Sequence, residues 1–306
     1  MSQTLLPSGV HVLERGWLSA NTVVATGQHN RALIDSGYWT HSAQTLALVQ
    51  TALRGQAPDL LLNTHLHSDH CGGNAALQAA YTDMQTLIPP GHAHLVAAWD
   101  PAGLSYAPTG QHCPRFQHQG LLTPGCELLL GDHSWGIHAA RGHDPHSVVL
   151  FQRESRTLIS ADALWENGFG VVFPELEGVD AFDAVAATLD LIADLQPITV
   201  IPGHGPVFTY SDAILRRAES RLAAFVSNPV RHANHAAKVL IKFKLLELQT
   251  VNIANLKEWA MATPYLDLMH SRFFEQHSRD EWLTQLIAEL VASGAARIDD
   301  YTIVNT

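Results

Sequence analysis

Cysteine is scarce: Cys71, Cys113 and Cys126 are the three in 306 residues, with no pairing pattern and no C-x-x-C. An odd, unpatterned set offers no disulfide framework and suits a reducing cytosol. Long hydrophobic runs are missing too, the longest apolar stretches falling far short of a bilayer span, so no membrane partner is expected. The opening, "MSQTLLPSGVHVLERG", has neither a basic n-region nor a sustained apolar h-region. No export signal is read there, and a cytoplasmic location is the expectation. Positive charge is also in short supply, with 18 Lys and Arg against 29 Asp and Glu, a formal net charge of −11. The deficit is uneven: residues 231–306 hold eight basic and nine acidic residues, leaving −1 there and −10 in residues 1–230. An acidic main body repels phosphate backbones unless bound cations offset it, which disfavours nucleic acid as a partner.

What is present is apolar material, 46% of the chain, enough for one large domain or a large one plus a small one. Histidine is abundant at 19 residues. Three of them, with an aspartate, fall in "NTHLHSDHCGG", residues 63–73. At this chain's composition, H-x-H-x-D-H arises by chance in roughly a few chains per thousand.

Residues 10–37 alternate as successive short strands broken by Gly and Asn. "THSAQTLALVQTALRG" has helical spacing ending on Gly55, and "PDLLLNTH" reads as a buried strand that delivers His65. "NAALQAAY" reads as a helix opened by Asn74. Residues 99–120 are Pro- and Gly-rich and aperiodic, a long surface loop. Strand patterns return at 127–130, 135–140, 147–151 and 156–160, an amphipathic helix at 180–195, and a buried strand in "ITVIPGHG". Helices dominate from 211, and the chain closes with two short strands turning at Asp299–Asp300. The composition shift near Asn228–Pro229 marks a boundary between residues 1–229 and 230–306.

The histidine turn therefore sits between a strand and a helix, where side chains are presented at a sheet edge. His65 and His67 can reach one ion and Asp69 and His70 another, while a single ion needs only three or four of these groups. Further donors occupy similar turns: His143 in "RGHDPHSVVL", Asp162 in "TLISADAL" and His204 in "VIPGHGP". Alone, each has an ordinary reading as a turn histidine or an Asp cap. Together, HxHxDH, the GH turn, the AD turn, PGHGP and the early "LIDSG" resemble the metallo-β-lactamase superfamily in its hydrolase form, over residues 10 to 208.

The resemblance implies an α/β fold: a four-layered αββα sandwich. The tail pattern resembles the small helical, winged-helix-like C-terminal region of glyoxalase-II-like and β-lactamase-like members. It implies two divalent metal ions, zinc by preference and iron or manganese as alternatives. His65, His67 and His143 would hold one, and Asp69, His70 and His204 the second, with Asp162 bridging. Asp35 would fix a ligand histidine from behind, although "IDSG" is also an ordinary Asx-turn. The implied chemistry is hydrolysis by a metal-bridging hydroxide acting on a small ester, thioester, lactone or amide, with Asp69 and Asp162 as the catalytic carboxylates. A metal-dependent ribonuclease and a non-hydrolytic metal or redox protein are the alternatives.

One departure stands out. Many members carry Thr-Pro-Gly after the middle histidine, where this chain has "HDPHS", so His146 is a candidate proton donor or a surface histidine. Tyr106, His112, Phe116 and His118 in the long loop, and Trp165, Phe169 and Phe173 after Asp162, are candidate substrate contacts. The near-neutral tail is expected to shape the pocket of a small-molecule substrate or to support a homodimer.

Overall fold

The computed structural model describes residues 6–306; residues 1–5, the start of the stretch read as lacking an export signal, lie outside the described residues. Two six-stranded sheets organise the first two thirds. The first runs β1 (Val10–Leu13), β2 (Thr22–Thr26), β3 (Arg31–Ile34), β4 (Leu60–Leu62), β5 (Gln85–Ile88) and β6 (Gly120–Leu121) in spatial order. The second holds β7 (Glu127–Leu130), β8 (His133–Ala139), β9 (Val148–Gln152), β10 (Thr157–Ala161), β11 (Thr199–Pro202) and β12 (Phe208–Thr209), also in sequential order. A loop over residues 14–21 joins the antiparallel pair β1–β2, and a short turn over 27–30 joins β2–β3. The parallel pair β3–β4 needs a crossover, which is α1 (Ser42–Ala52).

Side-chain alternation along the strands decides the layering. Val23, Ala32, Ile34 and Leu62 of the first sheet meet Trp135, Val148, Leu150, Ile159 and Ile201 of the second in one buried cluster. Their neighbours point outward: Val24, Leu33 and Leu61 pack with Val49 of α1 and with Leu53 just after it. On the far side Val149, Phe151, Leu158 and Val200 pack with helices that lie later in the chain. The four layers are thus helix, sheet, sheet, helix, as expected.

The remaining helices of the first half are α2 (Ser68–Cys71), α3 (Asn74–Ala80) and α4 (Ala93–Ala98). Asn74 is the first residue of α3 rather than its cap. Its buried amide donates to Asn63 Oδ1 at 2.7 Å and accepts from Ser36 Oγ at 2.7 Å, tying the metal turn to the strand below it. The second sheet is covered by α6 (Phe182–Leu195) and α7 (Asp212–Ser227), with α5 (Phe173–Glu177) leading into them.

Asn228 ends α7 and caps α8 (Pro229–Leu248), its side chain accepting from the Arg231 amide. Then follow β13 (Thr250–Asn252), α9 (Ile253–Ala262), α10 (Pro264–Phe273), α11 (Arg279–Ala292), β14 (Ala296–Asp299) and β15 (Thr302–Asn305). The last two strands form the expected hairpin, and β13 adds a third strand to it. Leu240, Leu245, Leu256, Leu266, Trp282 and Leu286 build a core for this region, which also takes in Val171 and Leu176 from the segment after Asp162. That shared packing presses the C-terminal helices onto one side of the strand-end loops. Among the described residues no helix is long and apolar enough to cross a membrane.

Candidate metal centre and its cavity

Every expected donor leaves the same edge of the sandwich. Asp35 follows β3, the turn 63–71 follows β4, His143 lies between β8 and β9, Asp162 follows β10, and His204 follows β11. The first sheet supplies one half of the group and the second sheet the other. Three overlapping sets of donors converge: His65, His67 and His143; His65, His70 and Asp162; Asp69, His70 and His204, each with its ligand atoms within 4.8 Å. His65 Nε2 lies 3.1 Å from His67 Nδ1, and His204 Nε2 lies 3.1 Å from Asp69 Oδ2. Asp162 stands between the sets, Oδ1 3.4 Å from His70 Nε2 and Oδ2 3.4 Å from His143 Nε2.

Two residues of the centre have strained backbone. Asp35 has φ 60° and Ala161, just before Asp162, has φ 45°, in the left-handed region that side chains avoid. Gly203 allows the closest approach: a Cβ there would lie 2.2 Å from Asp162 Oδ1.

The outer partners orient the rings. His70 Nδ1–H donates to Asp35 Oδ2 at 2.8 Å, and Asp35 is held in turn by the Thr64 amide and hydroxyl at 2.9 and 2.8 Å. His143 Nδ1–H donates to the Val171 carbonyl at 2.5 Å. The other nitrogens of these two rings, His70 Nε2 and His143 Nε2, are buried and have no hydrogen-bond partner. Buried polar atoms without partners are rare, and two facing a ring of carboxylates and imidazoles are what cation binding requires. The residues present therefore fit a divalent metal.

Electrostatics agree. Burial opposes charge on His70, but Asp35, Asp162 and Asp69 outweigh it and hold its pKa well above the ordinary 6.5. Burial, then His70, His67 and His143, push His65 well below its usual value. Burial and His143 bring His67 down to about 4. Burial resists ionisation of Asp162, yet His70 and His204 keep it far below the usual carboxylate range. The metal-free centre is thus a proton site that a cation displaces.

A cavity of about 550 Å³ opens from this centre. His67, Asp69, His143, Asp162 and His204 form its floor. One wall is α8, whose His235, Lys238, Val239, Lys242, Phe243 and Leu246 recur at helical spacing. Phe173 lies between floor and wall, its ring centroid 5.2 Å from that of His67. Trp165 lines the cavity and donates through Nε1 to Asp162 Oδ1 at 3.2 Å. Trp17 stacks on His204 with ring centroids 5.4 Å apart and 9° between planes.

Other sequence candidates are placed elsewhere. Tyr106 is buried among Leu104, Cys113 and Phe116, its hydroxyl 3.1 Å from Cys71 Sγ, so it packs the long loop instead of lining the cavity. Phe169 is buried with Phe225 in the outer core of the second sheet. His118 lies beside Val96, Ala97 and Arg115 in a separate small depression. His146 also leaves the site: Pro145 turns its ring onto His92, centroids 4.5 Å apart, and it does not line the cavity. Asp144, which the sequence reading passed over, faces inward, Oδ2 4.0 Å from His67 Nε2 and 3.9 Å from His92 Nδ1. Trp17 and the α8 stripe were also unanticipated. The stripe's spacing is visible in the sequence, but its partner is not.

The model of the metallo-beta-lactamase superfamily matches residues 15–204. The chain belongs to that superfamily. It is 31% identical over 174 residues to a hydroxyacylglutathione hydrolase of Anaeromyxobacter dehalogenans (strain 2CP-C), a match taking in 56% of each chain. The chain therefore spans little more than half of that relative's length. It is 23% identical over 236 residues to the acyl-coenzyme A thioesterase MBLAC2 of Gallus gallus, covering 72% of this chain and 81% of that one. Among solved structures, TTHA1623 in a di-iron-bound form is 29% identical, covers 70% of this chain and 98% of its own, and superposes with a TM-score of 0.53. These curated relatives carry the names of a hydrolase and a thioesterase, and the donor groups of this superfamily member fit a metal site.

Proposed function

We propose that this chain is a binuclear metal-dependent thioesterase. The observation that carries the reading is the three overlapping donor sets, with Asp162 between His70 and His143, on the floor of a cavity into which α8 presents Val239, Phe243 and Leu246. His65, His67 and His143 would hold one ion, and Asp69, His70 and His204 the other, with Asp162 common to both. Zinc is the first expectation; iron is the alternative that the di-iron neighbour supports. Bound divalent cations supply a water of lowered pKa and draw charge from a carbonyl oxygen.

The chain's own residues do the rest. Asp69, lining the cavity beside His204, accepts a hydrogen bond from the attacking water and aims its lone pair at the carbonyl carbon. Trp165 Nε1–H holds Asp162 in place while the neighbouring histidines pull on it. Phe173, Val239, Phe243 and Leu246 exclude water and take the acyl chain. With His146 outside the cavity, the leaving group must depart without that proton donor. A thiol, with a pKa of about 8.5, leaves readily as thiolate, whereas an amine does not. Both curated relatives carry names of thioester-cleaving enzymes, which supports the same class. Residues 230–306 then form the domain that closes the pocket over residues 1–229, in a cytoplasmic protein.

The test is a panel of acyl-CoA, acylglutathione, lactone, anilide and single-stranded RNA offered to purified, metal-quantified protein. Chelator-sensitive thioester cleavage with about two ions per chain is expected. RNA cleavage lost in His67→Ala would establish the nuclease instead.

A further inference from the structure

Three cations line the cavity, and two of them are already engaged. Lys238 pairs with Glu289 at 2.9 Å, and Lys242 is held by the Ala295 carbonyl at 2.5 Å and Asn305 Oδ1 at 2.6 Å. Arg221, on α7, is different. Its guanidinium lies over the rings of Phe225 and Phe169, 5.3 and 5.6 Å from their centroids. Nη2 donates to His235 Nε2 at 2.7 Å, Nη1 reaches the Asn167 carbonyl at 3.4 Å, and Nε is buried without a partner. Among the described residues no carboxylate pairs with it.

An arginine remains charged in such surroundings, and a desolvated charge without a counterion is costly. Its neighbour cannot supply one. Burial and then Arg221 itself bring His235 down to about 3, so the imidazole is neutral, accepting at Nε2 without supplying a counter-charge. Two aromatic faces fix the plane of the guanidinium without neutralising it. The remaining N–H fork belongs to a side chain that lines the same cavity as the metal donors. A planar, preorganised donor fork suits a carboxylate or phosphate oxygen pair.

We propose that Arg221 is the anion-recognition residue of the cavity, and that the thiol half of the substrate carries the carboxylate or phosphate it binds. The inference rests on the thioester reading and adds to it which part of the substrate lies toward α7. The apolar acyl group takes the Phe173–Phe243 wall, and the charged thiol half runs past Trp165 and Asn167 to Arg221. The competing role is structural: Arg221 and Arg217 both donate to carbonyls of the 166–167 turn, which Arg221 could simply brace.

Calorimetry on the metal-loaded protein separates the two roles. S-methyl-4′-phosphopantetheine is compared with S-methylpantetheine, and N-acetyl-S-methylglutathione with its diethyl ester; the methyl group keeps the sulfur from binding metal as a thiolate. The wild type is expected to bind at least one charged ligand about tenfold more tightly than its neutral partner. The pair that shows the preference tells phosphate from carboxylate. Arg221→Gln should bring that ratio to about one, and Arg221→Lys, which keeps charge but loses the fork, should leave an intermediate ratio. A wild-type ratio near one overturns the proposal without any variant, as does a ratio unchanged in folded Arg221→Gln. Hydrolysis of acetyl-CoA and S-acetylglutathione tests the thioester reading separately. Its absence beside a clear charge preference would overturn the thioesterase and support the anion site. Rapid hydrolysis with no charge preference would overturn the anion site alone.

Discussion

Replacing Asp35 by asparagine keeps shape while removing charge. Position 35 has φ 60°, which asparagine tolerates, so the backbone should survive. The carboxylate accepts from three donors, Thr64 N, Thr64 Oγ1 and His70 Nδ1, at 2.8–2.9 Å. An amide satisfies only part of that set. With its oxygen toward the Thr64 amide, its NH2 faces His70 Nδ1, and the Thr64 hydroxyl can rotate to accept but His70 must move its proton to Nε2. That nitrogen is the one directed at the centre, so the tautomer that suits the substituted amide is the one that cannot bind metal. Loss of such a partner costs about 10- to 100-fold in metal affinity, or about 1.4–2.7 kcal/mol. The pH dependence moves as well. The raised pKa of His70 stabilises the metal-free fold fully below about 6.5, and that contribution fades as pH rises through the higher folded-state value. Metal must displace the same proton, so wild-type affinity should fall as pH drops through that value. In Asp35→Asn, with the largest of the charges that raise it gone, the fall should begin at lower pH, from a weaker plateau. Competition with a chromophoric chelator between pH 5 and 9 measures both effects. Wild-type affinity with an unshifted profile would refute the role of Asp35.

Gly203→Ala places a Cβ against Asp162 Oδ1 and 3.0 Å from His70 Cε1. It should lose bound metal by elemental analysis and about 100-fold in kcat, with far-ultraviolet dichroism unchanged. Phe243→Ala opens the α8 wall and should cut kcat/KM for a long acyl thioester about tenfold, while an acetyl thioester responds little; equal losses on both would argue against an acyl wall. Leu286→Ala, in the fully buried core behind α8, should lower stability in urea by about 2–5 kcal/mol. Chelation should lower the wild-type melting temperature, and the shift should be restored in proportion to added metal. In Asp144→Asn the buried carboxylate beside His67 loses its charge, and weaker metal retention with intact folding is expected.

Much of the centre was legible in the sequence because its donors are local. His65, His67, Asp69 and His70 sit within six residues, and strand ends announce themselves as apolar runs stopped by Gly or Asp. His143 and His204 each lie beside a turn of their own, and the resemblance carried by these ordered motifs implied how the donors are shared. His146 shows where that reasoning ends. It stands three residues from His143, yet its ring packs edge-on against His92 and does not line the cavity. Tyr106 and Phe169 misled for a related reason: an aromatic in a loop near a site can serve the cavity or the core, and burial among other apolar groups favoured the core.

By itself the sequence determined which chemical groups meet, because a strand end places its next residues at the sheet edge wherever the sheet lies. It marked the strands as well, through alternation that sends Val23 inward and Val24 outward. Only the tertiary structure decided the shape of the cavity. Its wall comes from α8, well beyond His204 in the chain, and from Trp17, at the other end of the catalytic region. The α8 residues reach the centre through the core that joins Leu240 and Leu286 to Val171 and Leu176, contacts that no local spacing encodes. A ligand set is written by short-range geometry; a pocket is written by how separate apolar faces find one another.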